Sequence, residues 1–407
     1  MRGPQLAVGQ GVFRMKLGIV GAGVFGIAAA IELAERGHEV TVFERGSVPS
    51  AQASSTDVSK VIRRWAYADN ETYVELVERA AINWARWQQE FESPVYHKVG
   101  QVRALPDWGP KSPMRRSVEY LQGRGAGIEI LTPAQARKRF PRLVLLDSET
   151  IVYDQWAGYV ESGLAVEYMA SMARDRGVRI LANMGVRSVA ESPEGSRLVL
   201  DDGTEHTFDR IVVAAGAWVG GLVPKLNQGL TITRQQMVIV APDRPEFFAS
   251  GAMGVWSIEV ASGQWYGFPL LRSGYVKVAD DATGEQIDPD VDRGGTPEFA
   301  QRAMGFLRER VPELGTGRLV AGRTCLYTNT PDDHFVIDWA PGTSRVLVAG
   351  CGTSHGFKFG SSIGPVIADA LEDRDNPLGR LFRLGNRFAG GVEARDPRDK
   401  GFLHSAG

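Results

Sequence analysis

The 407-residue sequence predicts an α/β fold made of two intertwined domains. Three observations predict it. A strand–helix–strand unit opens the chain, which is typical of a parallel sheet covered by helices. Apolar and polar residues alternate between Leu230 and Val278, as they do in an antiparallel sheet with one face against the core. The chain is also too long for one compact core.

Composition and charge exclude several classes of protein. The 43% hydrophobic and 23% charged residues are those of an ordinary globular protein. A formal net charge of −2 creates no field that would hold nucleic acid or an acidic membrane surface. No stretch approaches the roughly 20 apolar residues that span a bilayer. We therefore expect neither nucleic acid nor a membrane as a partner.

The chain ends and the cysteines bear on processing and location. Residues 1–14 lack the apolar run of a secretory signal, and Met15 directly precedes the first predicted strand, so either Met1 or Met15 is the start. Residues 386–407 are charged and rich in glycine, and we expect both ends to be tails. The two cysteines cannot form a disulfide framework, which favours a reducing, cytoplasmic location.

The first unit of the chain is a βαβ motif of about 30 residues. Lys16–Val20 is a short apolar run that predicts a buried strand. Ile27–Arg36 is rich in alanine and leucine, and it predicts a helix that ends before Gly37. Glu39–Phe43 predicts the second strand. The loop between the first strand and the helix is then the first candidate for a binding site.

That loop is rich in glycine. Gly21, Gly23 and Gly26 have the GxGxxG spacing, which permits a tight turn, lets a pyrophosphate approach the backbone and lets the helix pack on the strand. Glu44 closes the second strand, where it can accept hydrogen bonds from a ribose diol, and Arg45 follows it. A glycine-rich structural turn is the alternative. Because strand, helix, second strand and terminal acid all agree, the sequence predicts a dinucleotide site.

A later segment indicates which dinucleotide binds. Residues 209–216, ending at Gly216, look like the second FAD signature of flavoproteins with two dinucleotide-binding domains. The sequence has no second GxGxxG motif, which argues against an enzyme that also binds NAD(P)H. The sequence therefore predicts FAD as the cofactor and the substrate itself as the source of electrons.

The remaining periodicity predicts further helices and strands. Thr132 and Pro133 are typical of a helix start, and Asp201–Gly203 is typical of a hairpin turn. Helices are expected over 73–91, 132–140, 162–177, 297–311 and 363–371, and strands over 95–105, 178–182, 210–215 and 345–349.

Four further stretches hold the candidates for chemistry: Ser59–Tyr67, Trp265–Pro269 with the later Lys277, Arg323–Thr328, and His355–Lys358. With them, the chain from about Lys16 to Leu371 resembles the D-amino-acid-oxidase superfamily. Within it, the chain is most similar to the group of monomeric sarcosine oxidase, N-methyltryptophan oxidase and the fructosyl-amino-acid (Amadori) oxidases.

The resemblance implies a monomer with a Rossmann-like FAD-binding domain and a substrate domain built on a mixed antiparallel sheet. The first domain would be discontinuous and the second would form a roof over the flavin, with the active site in the cleft between them. The expected boundaries are 15–90, 150–220 and 320–385 for the FAD-binding domain, and 91–149 and 221–319 for the substrate domain.

The first of these stretches holds basic residues. By the resemblance, Lys60 lies near the flavin ring and Arg63 binds the substrate carboxylate. The stretch looks one residue longer than in sarcosine oxidases, so Arg64 is an alternative to Arg63. Asp57–Val61 also looks like the Asp-Leu-Asn-Lys-Ile of Amadori oxidases. Surface ion pairs are the other interpretation of these side chains.

The second stretch contributes Tyr266 and, eleven residues later, Lys277. In the sarcosine oxidase pattern, a lysine at this spacing lies over the flavin near N5. A cation there would stabilise the negative charge that develops as oxygen is reduced. A structural lysine whose stem is buried is the alternative.

The third and fourth stretches complete the implied site. Cys325 corresponds to the cysteine that bonds covalently to the flavin 8α-methyl group, which requires a thiolate that Arg323 could favour; a buried free thiol is the alternative. Tyr327 would line the substrate pocket. The flavin would contact the loop containing His355, Gly356, Phe357 and Lys358, and Lys358 would also form the second half of the carboxylate clamp.

The resemblance implies oxidation of the C–N bond of a secondary amine or N-substituted amino acid, with O2 as acceptor and an imine or aldehyde and H2O2 as products. Asp281 stands where sarcosine oxidase has a histidine, and the loop Gly350–Ser354 also departs from the pattern, which puts sarcosine itself in doubt. The alternatives are an Amadori oxidase, a flavin amine dehydrogenase with a different acceptor, which Lys277 argues against, and an inactive flavin-binding protein. No metal is expected.

Overall fold

The computed structural model describes residues 14–67, 70–261, 263–282, 284–290 and 293–388. The predicted tails, residues 1–14 and 386–407, lie almost entirely outside the described residues. Within the described ranges, no helix is both long enough and apolar enough to cross a membrane.

The strands confirm the predicted βαβ unit and most of the later predictions. Their bounds, in chain order, are β1 Lys16–Val20, β2 Glu39–Phe43, β3 Lys60–Ile62, β4 Tyr96–His97, β5 Gln101–Leu105, β6 Ile128–Leu131, β7 Thr150–Asp154, β8 Gly158–Val160, β9 Arg179–Leu181, β10 Val186–Ser192, β11 Gly195–Leu200, β12 Glu205–Phe208, β13 Arg210–Val213, β14 Thr231–Ala241, β15 Val255–Val260, β16 Gly263–Gly267, β17 Val276–Asp280, β18 Arg318–Asn329, β19 Val336–Trp339 and β20 Val346–Gly350.

The predicted helices are all present, with ends shifted by a few residues. Thr132 caps its helix as predicted, in a reciprocal box with Gln135. The helix over 113–123 was not predicted, although Ser112 caps it and Pro113 opens it. The helices are α1 Val24–Glu35, α2 Glu71–Trp87, α3 Pro113–Gly123, α4 Pro133–Arg139, α5 Ser162–Asp175, α6 Val219–Leu222, α7 Pro297–Arg310, α8 Pro312–Gly315 and α9 Gly364–Leu371.

A six-stranded sheet forms the first layer. Its order is β19-β20-β13-β1-β2-β9, and all neighbours are parallel except β19 and β20. Helix α1 is buried along most of its length and packs against α5 and α9, which explains its alanine-rich sequence. The strand order reverses direction at β1, between β2 and β13. In such a sheet, ligands bind outside the carboxyl ends of the strands at this point.

An eight-stranded, mostly antiparallel sheet forms the second large layer. Its order is β18-β14-β17-β16-β15-β5-β7-β6, with β15 and β5 the parallel pair. This confirms the antiparallel sheet predicted from the alternation. Side chains two residues apart on a strand share a face. Lys277 therefore shares a face with Asp281, the residue that follows β17. The N–H of Asp281 donates to the carbonyl of Gln264 at 2.8 Å, which continues the pairing of β17 with β16. Tyr266 and Gln264 share a face of β16 in the same way.

Two differences from the predicted elements have local causes. The predicted strand over 95–105 is divided into β4 and β5, because the N–H of Gly100 donates to the carbonyl of Ala157 at 2.8 Å and the chain leaves the strand there. Helix α1 begins three residues earlier than predicted, because the N–H of Ile27 already bonds to the carbonyl of Gly23 at 3.0 Å. The glycine loop and the helix are therefore continuous.

Gly26 should tolerate no side chain. A Cβ atom at this position would overlap the carbonyl oxygen of Gly21. We expect Gly26→Ala to lower the free energy of unfolding by about 2–3 kcal/mol, because overpacking a tight contact commonly costs about 1–3 kcal/mol. Gly123 is the matched control, since a Cβ atom there meets no neighbour, and Gly123→Ala should be neutral or stabilising by up to about 1 kcal/mol. Urea unfolding followed by circular dichroism would measure both, and equal stabilities would contradict the close packing.

Candidate active site

A cavity of about 520 Å³ lies at the carboxyl ends of β1, β2 and β13. Its volume is in the range of ligand and cofactor pockets, about 300–1,000 Å³. The predicted cofactor residues Gly21, Gly23, Glu44, Arg45, Gly216, Cys325, Gly356 and Phe357 all line it. Gly26 does not line the cavity, because its place is under the loop against Gly21.

The glycine loop makes the floor of this cavity. Gly21 has a φ of +101°, which favours glycine, and its N–H donates to the carbonyl of Phe43 at 2.8 Å. The N–H of Val24 donates to the hydroxyl of Ser55 at 3.0 Å. Together with the start of α1, this backbone forms a cradle of the kind that binds a pyrophosphate.

Glu44 and Arg45 line the cavity beside the glycine loop. The Glu44 carboxylate accepts hydrogen bonds from the N–H groups of Ala22 at 2.9 Å and Gly46 at 3.0 Å. Two carboxylate oxygens have about four acceptor positions, so the carboxylate can also accept from a ribose diol. Arg45 is stacked 4.2 Å from the centre of the Trp218 ring. The residues of the large cavity therefore fit a dinucleotide.

Cys325 projects into the large cavity from β18. Its sulfur is buried and lies 3.7 Å from the Nζ atom of Lys60, which donates to it. Arg323, the cation expected to favour a thiolate, instead donates to the carbonyl of Ala51 at 3.0 Å. The cation that donates to the sulfur is Lys60, which comes from a stretch that is distant in sequence.

A second cavity, of about 60 Å³, adjoins the first. Lys60, Tyr327, Ser354 and Phe357 line both cavities, so these residues mark where the two meet. The other residues lining the small cavity are Ser59, Val61, Arg63, Gln101, Gln264, Tyr266, Phe268, Asp281, His355 and Lys358.

Two buried cations line the small cavity. Arg63 is 9% exposed and stacks on the Trp65 ring at 4.8 Å, while Arg103 lies 4.7 Å from the same ring. Lys358 is 5% exposed, and its Nζ atom donates to the carbonyl of His355 at 2.8 Å. Burial, followed by the nearby Arg63 guanidinium, lowers the pKa of Lys358 well below its ordinary value. An anion in the cavity would offset both effects.

Arg64, the alternative to Arg63, does not line the cavity. Its guanidinium lies 3.4 Å from Glu78 and 3.6 Å from Asp154, and it stacks on Trp156 at 4.8 Å. These partners hold it away from the site. Arg63 is therefore the candidate for the clamp.

His355 is buried and uncharged. Burial and the neighbouring Lys358 lower its pKa well below the ordinary value. Its Nε2 atom lies 3.1 Å from the carbonyl oxygen of Asp333, which can only accept, and its Nδ1 atom lies 3.4 Å from the Tyr67 hydroxyl. Nε2 therefore carries the proton. The backbone carbonyl of His355 holds Lys358 in place by accepting a hydrogen bond from its Nζ atom.

The two tyrosines of the small cavity remain protonated. Burial, and then nearby Asp281, raises the pKa of Tyr266 above its ordinary value. Burial and the neighbouring Tyr266 do the same for the pKa of Tyr327. Both residues therefore offer neutral hydroxyl groups that can donate or accept a hydrogen bond.

Lys277 does not line either cavity, but it donates to the carbonyl of Ser59, which lines the small one. It is 1% exposed, forms an ion pair with Asp57, and donates to the carbonyl of Ser59 at 2.8 Å. The same oxygen of Asp57 lies 3.1 Å from the Nζ atom of Lys60. One buried carboxylate is thus shared by two ammonium groups.

The charges of Asp57, Lys60 and Lys277 depend on one another. Burial lowers the pKa of Lys277 to about 8, although Asp57 opposes the shift. Burial acts on Lys60 in the same direction, but Asp57, together with the nearby Cys325 and Tyr266, outweighs it and raises the pKa of Lys60 above its ordinary value. Burial would raise the pKa of Asp57, but Lys277 and Lys60 together hold it below its usual range.

Sequence reasoning assigned no role to Asp57, Gln101 or Gln264. Asp57 had a signal, because it opens the Asp57–Val61 motif. Gln101 and Gln264 had none, since only the register of the eight-stranded sheet brings them to the cavity. The Oε1 atom of Gln101 is buried and receives no hydrogen bond from the described part of the chain. Nor do the described residues contain a cluster of three His, Cys, Asp or Glu that could hold a metal.

Comparison with known families and proteins agrees with this geometry. The family model described as FAD dependent oxidoreductase (DAO) matches residues 16–370. Monomeric sarcosine oxidase from Bacillus sp. (strain B-0618) is 28% identical over 358 residues, which cover 86% of this chain and 90% of that protein. N-methyl-L-tryptophan oxidase from Yersinia pestis (strain Pestoides F) is 29% identical over 374 residues, covering 88% of this chain and 95% of that protein.

Solved structures share the fold. The crystal structure of the fructosamine oxidase Amadoriase II from Aspergillus fumigatus, in complex with FSA, superposes with a TM-score of 0.80 and 24% identity. The match covers 96% of this chain and 93% of that one. The predicted fold class is therefore confirmed.

Proposed function

The chain belongs to the DAO family of FAD-dependent oxidoreductases, and we propose that it oxidises the C–N bond of a small N-substituted amino acid and passes the electrons to O2. The observation that carries this proposal is the pair of buried cations, Arg63 and Lys358, in a small cavity that adjoins the cofactor cavity. A carboxylate held there brings the neighbouring C–N bond toward the cofactor.

The cofactor supplies the redox chemistry, since FAD accepts a hydride equivalent from a substrate and can pass electrons to O2. The glycine loop, Glu44 and the loop containing Gly356 would hold it. The chain's own residues bind and orient the amino acid. Arg63 and Lys358 bind the carboxylate by charge-assisted hydrogen bonds, and the hydroxyl groups of Tyr266 and Tyr327 can contact the amine.

Covalent attachment through Cys325 is part of the proposal. Both cysteines line the large cavity, but burial raises the pKa of Cys351 to about 12, so that its thiolate is scarce. Cys325 has the Lys60 ammonium beside its sulfur, where a positive charge stabilises the thiolate that the attachment requires. The contact between Lys60 and Cys325 therefore favours Cys325 as the point of attachment.

The identity of the amine rests on the small cavity. Its volume of about 60 Å³ favours a small amino acid over one with an indole ring, such as the named substrate of N-methyl-L-tryptophan oxidase. Asp281 and the buried Oε1 atom of Gln101 are acceptors on its wall, which favours a substrate with a hydroxyl group. That feature makes an Amadori oxidase the second candidate, since fructosyl amines carry several hydroxyl groups, but the small volume of the cavity argues against a fructosyl amino acid as it does against an indole.

Oxygen as the acceptor is supported by the cationic group at Lys60 and Lys277. A positive charge beside the cofactor stabilises the negative charge that develops as O2 takes up electrons. A dehydrogenase passes its electrons to a different acceptor and does not require this positive charge. We further propose that the protein is a cytoplasmic monomer.

A substrate screen tests the proposal directly. The purified protein should produce H2O2 with N-methyl, cyclic or glycated amino acids, and the best substrate should be a carboxylate rather than its amide, because two buried cations favour an anion. Sarcosine and fructosyl-glycine separate the two candidates. Reduction of the flavin without peroxide in air would identify a dehydrogenase, and the absence of flavin reduction by any amine would refute amine oxidation.

The carboxylate clamp predicts a contrast between adjacent arginines. Arg63→Met should raise KM for the best substrate by about 30-fold or more, because removing one partner of a buried charge pair commonly costs about 2–5 kcal/mol. The effect on kcat should be smaller, since the clamp binds ground and transition states alike. Arg64→Met removes an equal charge outside the cavity and should leave KM within about threefold. Steady-state kinetics would measure both, and a larger effect at Arg64 would contradict the assignment.

Covalent attachment predicts that flavin remains with the wild-type chain after acid precipitation. Cys325→Ala should release it, whereas Cys351→Ala, the matched control in the same cavity, should retain it. Absorbance of the supernatant and the mass of the intact chain measure the outcome. Release of flavin from the wild type would refute the bond but not the binding of FAD.

A further inference from the structure

We propose that Asp57 is a positioning residue that joins Lys60 and Lys277 into one group and keeps both ammonium groups charged during the reaction with O2. The inference rests on the proposed oxidase function, since it concerns the step in which electrons leave the cofactor. The Asp57–Val61 motif singled out Asp57 in the sequence but gave it no role, and the structure supplies the contacts that suggest one.

The Asp57 carboxylate is held in place from several directions. One oxygen accepts the N–H of Val58 at 2.6 Å, and the other contacts both ammonium groups. The backbone carbonyl of Asp57 accepts the hydroxyl of Ser162 and the N–H of Gly163, the latter at 3.0 Å. Asp57 is 2% exposed and sits against the start of α5, so its carboxylate cannot turn toward solvent.

The surroundings of Lys277 contain few other charges. Asp57 and Lys60 face it from the segment before β3, and the Cys325 thiol faces it from β18. Phe268, on the neighbouring strand, presents its ring 5.1 Å from the Nζ atom. Of these described neighbours, Asp57 is the carboxylate that can balance the ammonium.

Removing the carboxylate should therefore discharge one lysine. With Asp57 ionised, the group carries two positive charges and one negative charge. Without Asp57, the buried ammonium group of Lys277 and the partly buried one of Lys60 would lie close together, and like charges in a desolvated site repel strongly. Lys277 is the more deeply buried of the two and does not line either cavity, so we expect it to lose its proton first.

The consequence concerns the transfer of two electrons and two protons from the reduced cofactor to O2, which yields H2O2. In the wild type, the rate of this transfer should fall as pH rises through about 8, the pKa of Lys277. In Asp57→Asn, the fall should occur about 1–3 pH units lower, the usual effect of losing a nearby opposite charge. Acid should then restore the rate, because it recharges the lysine.

Stopped-flow kinetics can test this with a matched set of variants. Enzyme reduced anaerobically by substrate would be mixed with O2 between pH 6 and 10. At pH 8, Asp57→Asn should reoxidise about 10²-fold more slowly than the wild type, the usual scale for losing one preorganised charge, and it should recover toward pH 6. Lys277→Met should reoxidise slowly at every pH. The double variant, which combines Asp57→Asn with Lys277→Met, should match Lys277→Met. Asp57→Glu should retain the wild-type profile.

Two results would overturn the inference. One is a pH profile of Asp57→Asn that superimposes on that of the wild type. The other is a rate that does not rise between pH 8 and pH 6, which would show a structural defect rather than a change of charge. If Asp57→Asn fails to fold, the double variant, which removes the surplus cation together with the carboxylate, should fold and hold FAD; its failure would also count against a charge role.

A binding measurement separates this inference from the proposed function. Inorganic sulfite is an anion whose binding bleaches the absorbance of oxidised flavin, and it requires neither substrate nor O2. Relative to the wild type at each pH, sulfite affinity of Asp57→Asn should be reduced at pH 8 and restored at pH 6. If the wild type does not react with O2 but sulfite shows this shift, the oxidase proposal fails, while the role of Asp57 in keeping both lysines charged stands. Unchanged relative affinity would refute the role of Asp57.

Discussion

The carboxylate of Asp57, buried between Lys60 and Lys277, is the interaction on which the site depends. Moving single charges into a protein interior is costly unless they are paired and hydrogen-bonded. This group satisfies that condition with side chains from two parts of the fold. Lys277 belongs to the eight-stranded sheet, whereas Asp57 and Lys60 precede and open β3. Because one oxygen contacts both ammonium groups, the ion pairs also fix the distance between the sheet and the cofactor cavity.

The register of the eight-stranded sheet supplies the other side of the site. Lys277 and Asp281 share a face because they are four residues apart, and Tyr266 and Gln264 share a face on the neighbouring strand. A shift by one residue would turn every one of these side chains to the opposite face. The pairing of Tyr266 with Ala279 and of Gly267 with Val278 fixes the register. The positions of Lys277, Asp281, Tyr266 and Gln264 are therefore determined by one set of backbone hydrogen bonds.

Local patterns were sufficient to predict the parts of the molecule that fold from short segments. The βαβ unit and the helix capped by Thr132 were predicted because their signals lie within a few residues of each other. The choice between Arg63 and Arg64 could not be made from sequence, since it depends on Glu78 and Asp154 holding Arg64 away. The cation in contact with the Cys325 sulfur was not predicted either. Neighbours in sequence suggested Arg323, but Lys60 reaches the sulfur across 265 positions of chain.

The cations of the small cavity also bear on the state of the amine. Oxidation of a C–N bond requires the free base, yet free amino acids carry an ammonium group near neutral pH. Lys60, Arg63 and Lys358 line the cavity against the one carboxylate of Asp281. Their positive charge disfavours the charged, ammonium form of the substrate amine, while it attracts the substrate carboxylate. His355 is uncharged, and both its ring nitrogens contact other groups, so it is poorly placed to remove a proton. The electrostatics of the clamp can therefore favour the neutral amine without a dedicated general base.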